Sequence, residues 1–358
     1  MTIKSALKWI VSLTIALAGG AGITLVFNGS LSVDVDVTPP EAREGWAGPE
    51  ALADAKEAGA FADLPEFRIV GAQGDNSEKD VRLWEFTKAV NGGEHLPNYP
   101  QQIGDCVSFG AKNAIEYLQC VQIARGPPAE FHPVYPPYLY GTGRVQIGKG
   151  RLRGDGSLGI WQAKAVQQYG VLAADHPDCP KYSGSVARDW GRSGPPDWAL
   201  TEGRQWLVKT IANVTTAEEV RDAICNGYPV TVAGVCGWRS TVERDGRLVA
   251  QGNARWNHQM CIVGYDGDEP SGENYYFCLN SWGVAAHDMP IDGSPPGGVW
   301  LTEDQLERLV RQGDSFAYSD FDGFPAQDLD FSIFSAQVKE DDPCVPAFAS
   351  ARQWLLAL

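Results

Sequence analysis

The chain has 358 residues, 44% hydrophobic and 21% charged, which is enough for one large domain or two modest ones around a packed core. Its formal net charge of −16 argues against nucleic acid as a partner, because phosphates repel such a surface. Beyond that, a charge excess mainly sets solubility.

Lys4 and Lys8 precede an uncharged run of 19 residues, Trp9 to Phe27. That is near the helical length that spans a bilayer, and the two lysines would hold the N-terminus on the cytoplasmic side. Residues 1–30 therefore read as a signal anchor. A cleaved signal peptide is the alternative, with Ala16-Leu17-Ala18 as the processing site. Both place the body outside the cytoplasm, held at the membrane or secreted.

Residues 31–80 read as a linker or N-terminal extension, with a short alanine-rich helix over 51–62 and a loop at 71–80. The compact domain is expected over 81–325. A C-terminal tail, 326–358, would end in a short amphipathic helix. Eight cysteines are spread over the chain at positions 106, 120, 179, 225, 236, 261, 278 and 344. No CxxC occurs, so the spacings carry no metal signature. An extracytoplasmic setting permits disulfides, but their pairing is not legible in the spacing.

Inside the domain two textures follow one another. Val107, Ala111, Ala114, Ile115 and Leu118 recur at helical spacing after Cys106. A second helix is expected over 159–171, ending at Gly170. A third covers 216–227, with Thr216 as cap and Gly227 as stop. Apolar strands follow at 228–235, 259–265 and 275–280, and their runs suggest cover on both faces. Helices first and strands second predict an α+β fold, two halves meeting at a cleft.

The chemistry-bearing residues lie where these textures meet. Asp105 suits a helix N-cap, which makes Cys106 the first helical residue. A thiol there feels the positive end of the helix dipole, and dipole and free N–H groups both favour thiolate, the nucleophilic form. A buried structural cysteine explains this stretch alone equally well. Further on, two apolar strands flank the turn-rich loop 266–274, forming a hairpin. If Tyr265 pairs with Tyr275, His258 and Asn280 become diagonal neighbours on one face, roughly 7–8 Å apart at the backbone. The Asn280 amide oxygen could then fix the His258 ring, with Trp282 covering the bond. A one-residue slip would break that geometry. A histidine opposite an asparagine is commonly a satisfied core pair; a thiol at a helix start turns the pair into a nucleophile, base and orienter set.

Those residues resemble the papain-like cysteine peptidases. The order Cys106, His258, Asn280 matches that family's nucleophile, general base and orienting residue. "NHQMCIVGYD" around His258 and "LNSWG" around Asn280 match its motifs. The likeness spans roughly residues 95–310, with weaker echoes at "GDGSLGIWQAKAVQQYGV", "EEVRDAICNGYPVTVAGV" and "GGVWL". The resemblance implies a helical left lobe, an antiparallel β-barrel-like right lobe and an active-site cleft between them. It implies Gly156, Ser157, Asn257 and Trp282 along the substrate groove. It also implies a thioester acyl-enzyme, a peptide or protein substrate, and no metal or organic cofactor.

The chain departs from the pattern in several places. Ile103-Gly104-Asp105-Cys106-Val107 stands where the family has Cys-Gly-Ser-Cys-Trp, so the structural cysteine upstream is absent. His258 and Asn280 lie 152 and 174 residues beyond Cys106, slightly more than the usual separation of about 130–150. The oxyanion-hole glutamine is expected six residues before the nucleophile, where this chain has Pro100. Gln101 is the candidate and Gln102 the alternative. The family's helical propeptide motif is missing from 31–95, which leaves the restraint of activity open. The locally basic stretch 143–156 either borders the groove and favours acidic substrates or is a solvated loop. Two rival functions share this sequence: acyl transfer to an amine, as in a cell-wall transpeptidase, and an idle peptide-binding module.

Overall fold

The computed structural model describes residues 44–329 apart from 75, 78, 128 and 268–270, together with the backbone of 12–16 and 22–26. Strands β1 (Ser12–Ala16) and β2 (Gly22–Val26) come first, then helices α1 (Gly48–Glu57) and α2 (Phe67–Val70), strand β3 (Asp80–Arg82) and helix α3 (Trp84–Val90). The helical half continues with α4 (Cys106–Arg125), α5 (Pro136–Gly141), a π-helical turn (Thr142–Ile147), α6 (Gly159–Gln168), α7 (Gly184–Ser193) and α8 (Asp197–Gly203). The second half contains β4 (Thr210–Asn213), α9 (Ala217–Cys225), β5 (Val230–Gly234), β6 (Ser240–Arg244), β7 (Arg247–Gln251), β8 (His258–Asp266), β9 (Tyr275–Leu279), β10 (Gly298–Thr302), α10 (Glu303–Val310) and β11 (Phe316–Ser319).

Helix α4 is the axis of the molecule. The sequence predicts one apolar face, yet every residue from Cys106 to Leu118 is buried, because α3, α5, α6 and β8 surround it. Its polar residues are therefore matched internally. Lys112 Nζ donates to Glu116 Oε2 at 2.6 Å, and Glu116 Oε1 accepts the Val134 N–H at 2.9 Å. Mutual attraction and the extra bond offset the cost of removing both charges from water. Helix α9 starts on a full capping box, Thr216 with Glu219, which satisfies two otherwise orphaned donors.

The sheet runs β4-β11-β5-β8-β9-β10-β7-β6, with β3 beside β8. It is antiparallel except where β10 meets β7. The path is open, with β4 and β6 at its ends, so the barrel-like right lobe is a curled sheet and not a closed ring. Strands β8 and β9 are buried throughout. Trp84, Phe277 and Trp300 pack edge to face between α3 and the sheet, with centroids 4.9–5.9 Å apart; each such pair adds about 0.5–1.5 kcal/mol beyond its buried area.

Two expectations concern the N-terminal part. Within the run 9–27, the described backbone is that of two strands. Strands β1 and β2 pair antiparallel, Ser12 opposite Val26 and Ala16 opposite Gly22. The β-branched Thr14, Ile15, Ile23, Thr24 and Val26 suit strands. Among the described residues no helix is long and apolar enough to cross a membrane. The second concerns 31–80. In its described part, 44–80, Trp46, Leu52, Ala55 and Phe67 are all buried in the common core, so these residues pack as an N-terminal extension. The expected C-terminal amphipathic helix lies outside the described residues.

Candidate active site

Cys106 is the first residue of α4, as the capping argument predicts. Asp105 occupies the N-cap position, but its side chain caps nothing. Its backbone C=O accepts from Ser108 N and Ser108 Oγ, while its carboxylate accepts from the Tyr182 hydroxyl at 3.1 Å. Burial pushes that carboxyl up to about 8, so it is mostly protonated at neutral pH. A neutral Asp105 spares the neighbouring sulfur a repulsive charge that would oppose thiolate.

The hairpin places His258 one residue from the strand's contact with Cys106. Near its turn, Tyr265 pairs with Tyr276 and not with Tyr275, one residue off the assumed register. A bulge between Ile262 and Gly264 absorbs the slip, so Cys261 faces Leu279 and Ile262 faces Cys278. Those pairs restore the assumed register at the end that matters, because an inserted residue shifts everything on one side of it only. His258 Nε2 then donates to Asn280 Oδ1 at 2.8 Å. The next residue, Gln259, donates its backbone N–H to Cys106 Sγ at 3.4 Å and its side-chain amide to Val107 O at 3.2 Å. Strand β8 and the start of α4 are thereby stitched together at the sulfur. His258 Nδ1 is buried and makes no hydrogen bond among the described residues.

Trp282 lies over His258 with centroids 4.8 Å apart. Trp256 and Trp238 continue the aromatic wall. Gly283 follows with φ +86, a conformation that favours glycine, and this turn lets the chain leave the strand directly behind the asparagine.

The two candidate glutamines are placed differently. Gln101 is buried; its backbone N–H donates to Ser281 O, Ser281 Oγ donates to its Oε1 at 2.6 Å, and its Nε2 donates to Ile103 O. It therefore joins the Asn280 turn to the loop before Cys106. Gln102 is exposed and accepts from Gly184 N, which directs its carbonyl towards α7 and away from that turn. The basic stretch is also resolved in part. Arg144 is buried and bonds the carbonyls of Leu152, Gly154, Gly156 and Gly191, so it holds the groove wall from inside and presents no charge to a ligand.

The sequence reading missed what fills the groove. Gly45 N and Trp46 N donate to Asn257 O at 2.8 and 3.0 Å. On the opposite wall, Ser157 N donates to Gly45 O and Ala47 N to Ser157 O, both at 2.8 Å. Asn257 and Gly156-Ser157 are thus the two sides of a slot, and residues 44–47 lie in it. Only glycine fits at 45, since a Cβ there would come within 2.4 Å of Gly104. The Trp46 indole enters the core and donates to Asp314 Oδ2 at 2.7 Å. Asp314 also accepts from Gly159 N and Ile160 N, at the start of α6.

Burial sets the electrostatics. Cys106 and His258 are both fully buried. Burial pushes the thiol well above its usual range and the imidazole down to about 4, against the Asn280 hydrogen bond. In this state both groups are neutral, a thiol and an imidazole, and not the expected imidazolium–thiolate pair. Desolvation penalises both charges at once.

Two other unread residues touch the site. His287 Nε2 lies 3.1 Å from Asn280 Nδ2, and Ser281 N donates to Asn280 Oδ1 at 2.7 Å. All seven cysteines from Cys106 to Cys278 are free thiols. Among the described residues no group of three or more His, Cys, Asp or Glu could hold a metal ion.

No family model matches the chain, and no curated protein matches it significantly. Solved structures do. The cysteine protease Amb a 11, a major ragweed pollen allergen, in its proform, aligns with a TM-score of 0.52 at 16% identity over 78% of this chain and 77% of its own. Xylellain, a cysteine protease from Xylella fastidiosa, aligns at 0.49 and 14%, over 78% and 97%. Procathepsin B S9 from Trypanosoma congolense aligns at 0.48 and 12%, over 85% and 93%. The ragweed alignment shows the fold: α+β and papain-like.

Proposed function

We propose that the chain is a papain-like cysteine peptidase that hydrolyses peptide bonds through Cys106, His258 and Asn280. The supporting observation is the junction at the sulfur: the His258–Asn280 bond ends one residue from the backbone N–H that touches Cys106 Sγ. In the open groove the thiol passes its proton to His258 Nδ1, and the thiolate attacks the scissile carbonyl. The tetrahedral oxyanion draws on the Cys106 N–H at the helix start and on the Gln101 amide. Collapse expels the amine, protonated by His258, and leaves a thioester. His258 then draws a proton from water for deacylation. No step needs a metal or organic cofactor. Delivery outside the cytoplasm by residues 1–30 belongs to the same reading, and N-terminal sequencing of the mature protein tests it.

The groove's occupant makes this a latent enzyme. Residues 44–47 use the backbone groups that an extended peptide would need, and they bury the nucleophile. Amb a 11, which shares the fold, was itself solved in its proform. The missing helical propeptide motif is thus no obstacle to restraint: four backbone bonds and one buried indole serve instead.

The test is mass spectrometry of the full chain, unaltered and as Trp46→Ala, after exposure to a thiol-directed epoxysuccinyl inhibitor, with a fluorogenic peptide assayed in parallel. A single adduct on Cys106, faster in the variant and accompanied by cleavage, is expected. No adduct and no cleavage in the opened variant would favour an idle peptide-binding module. Transfer of the acyl group to an added amine in preference to water would favour a transpeptidase.

A further inference from the structure

We infer that His287 is a positioning residue of this site: its neutral Nε2 accepts a hydrogen from the Asn280 amide and so keeps the amide oxygen turned to His258. The inference rests on the proposed triad, but its geometry stands alone. Asn280 carries one oxygen and one NH2 group, and which is which follows from the partners. Ser281 N can only donate, and it meets Oδ1 at 2.7 Å. The nitrogen end therefore faces His287 Nε2 at 3.1 Å. A donor there requires a lone pair on the ring, so the proton of neutral His287 sits on Nδ1.

The amide is thus held at both ends, by Ser281 and His258 on the oxygen and by His287 on the nitrogen. Two of the chain's five histidines flank one asparagine. Trp238 and Trp282 pack on the His287 ring, at 5.4 and 6.2 Å between centroids, and hold its plane. The charged groups that bear on it are few. Asp288 is adjacent and favours its protonation, although that carboxylate also accepts from Thr241 Oγ1 on β6. His258 faces it across the amide. Burial outweighs Asp288 and keeps the ring below its ordinary value, which preserves the lone pair at neutral pH.

Protonation of His287 would set N–H against N–H, and it would place a cation beside the imidazolium that forms on His258. The acid limb of activity therefore contains two ring titrations, and one of them never touches substrate.

The experiment pairs His287→Leu, which removes the acceptor, with His287→Gln, whose amide oxygen can accept but cannot titrate. On the full chain, ring 15N and Nε2–H signals of His258 are recorded against pH. Hydrolysis of a fluorogenic peptide is followed in the Trp46→Ala background. In the leucine variant the His258 Nε2–H signal should broaden or move, and kcat should fall about tenfold, the loss of one hydrogen bond in a network, with KM unchanged. In the glutamine variant signal and kcat should return, and the acid limb should shallow from two protons to one. A leucine variant with an unmoved His258 signal overturns the inference, and so does a folded glutamine variant that fails to restore it. If the unaltered site never cleaves peptide, the peptidase reading fails while the ring signals still decide the role of His287.

Discussion

On the strand side of the groove, His258 is held on several counts: an amide oxygen at 2.8 Å, a tryptophan over its ring, and a strand buried from end to end. On the helix side, Cys106 is held by backbone N–H groups alone, that of Gln259 at 3.4 Å and that of Val107, with no side chain bonded to its sulfur among the described residues. The contrast separates two tasks. In the proposed peptidase the sheet would fix geometry through every turnover. The helix side would leave reactivity to solvent, admitted or excluded by residues 44–47. Substitutions on the two sides should accordingly fail in different ways.

The largest effect belongs to the sulfur. Cys106→Ala should lower peptide hydrolysis by about 10³-fold or more, because the covalent route disappears. Its melting temperature should fall only slightly, since alanine suits a helix start and the one acceptor lost, that of the Gln259 N–H, is a long contact at 3.4 Å. Asn280→Ala should cost kcat roughly 100-fold, at the lower end of what a correctly set general base contributes. It should also lower stability by about 1–3 kcal/mol, because buried donors on His258 and Ser281 lose their acceptor. Retained activity with retained stability would show that the strand side does not set the base. The two variants thus divide along the comparison: one loses chemistry with little stability, the other chemistry and stability together.

The covering segment sharpens it from the other direction. Trp46→Ala removes a buried indole and its bond to Asp314. At about 1.5–3 kcal/mol for such a side chain, the open form should rise by roughly 10–100-fold. Alkylation of Cys106 should accelerate by that factor while kcat of the opened enzyme stays put. An unchanged alkylation rate would mean that the indole does not latch the groove.

Much of this was legible in the sequence, for identifiable reasons. Cys106 at a helix start follows from Asp105 and the apolar spacing after it. The His258–Asn280 pairing follows from strand periodicity, and the assumed register holds at the active end only because the bulge near Val263 cancels the slip near Tyr265. What stayed hidden depends on long-range placement. Trp46 and Asp314 are 268 residues apart, and no local pattern joins them. His287 lies in an irregular polar stretch with no period to mark its face. Arg144 looked like surface charge because sequence does not show which carbonyls surround a guanidinium.

The smallest effect is the one that acid exerts on opening. In the covered site His258 titrates near 4, whereas exposed histidine titrates at about 6.5. Between those values the open form binds a proton that the covered form does not. Falling pH therefore favours opening, by at most about tenfold per pH unit. Above pH ~6.5 the effect vanishes, and below pH ~4 it saturates because both forms are protonated. Asp105 pushes the other way if opening wets it: its raised pKa would fall, and the open form would release a proton instead. Tyr182, however, lies on that carboxylate from the helical half and not from residues 44–47, so the expectation is that it stays covered. Amide hydrogen exchange at Gly45 and Trp46, corrected for its intrinsic pH dependence, reads the opening directly. A rise of close to tenfold per unit from pH 6 to 5, unchanged in Asp105→Asn, is expected. A flat profile that steepens in Asp105→Asn would show that the helix side of the site opens to water along with the strand side.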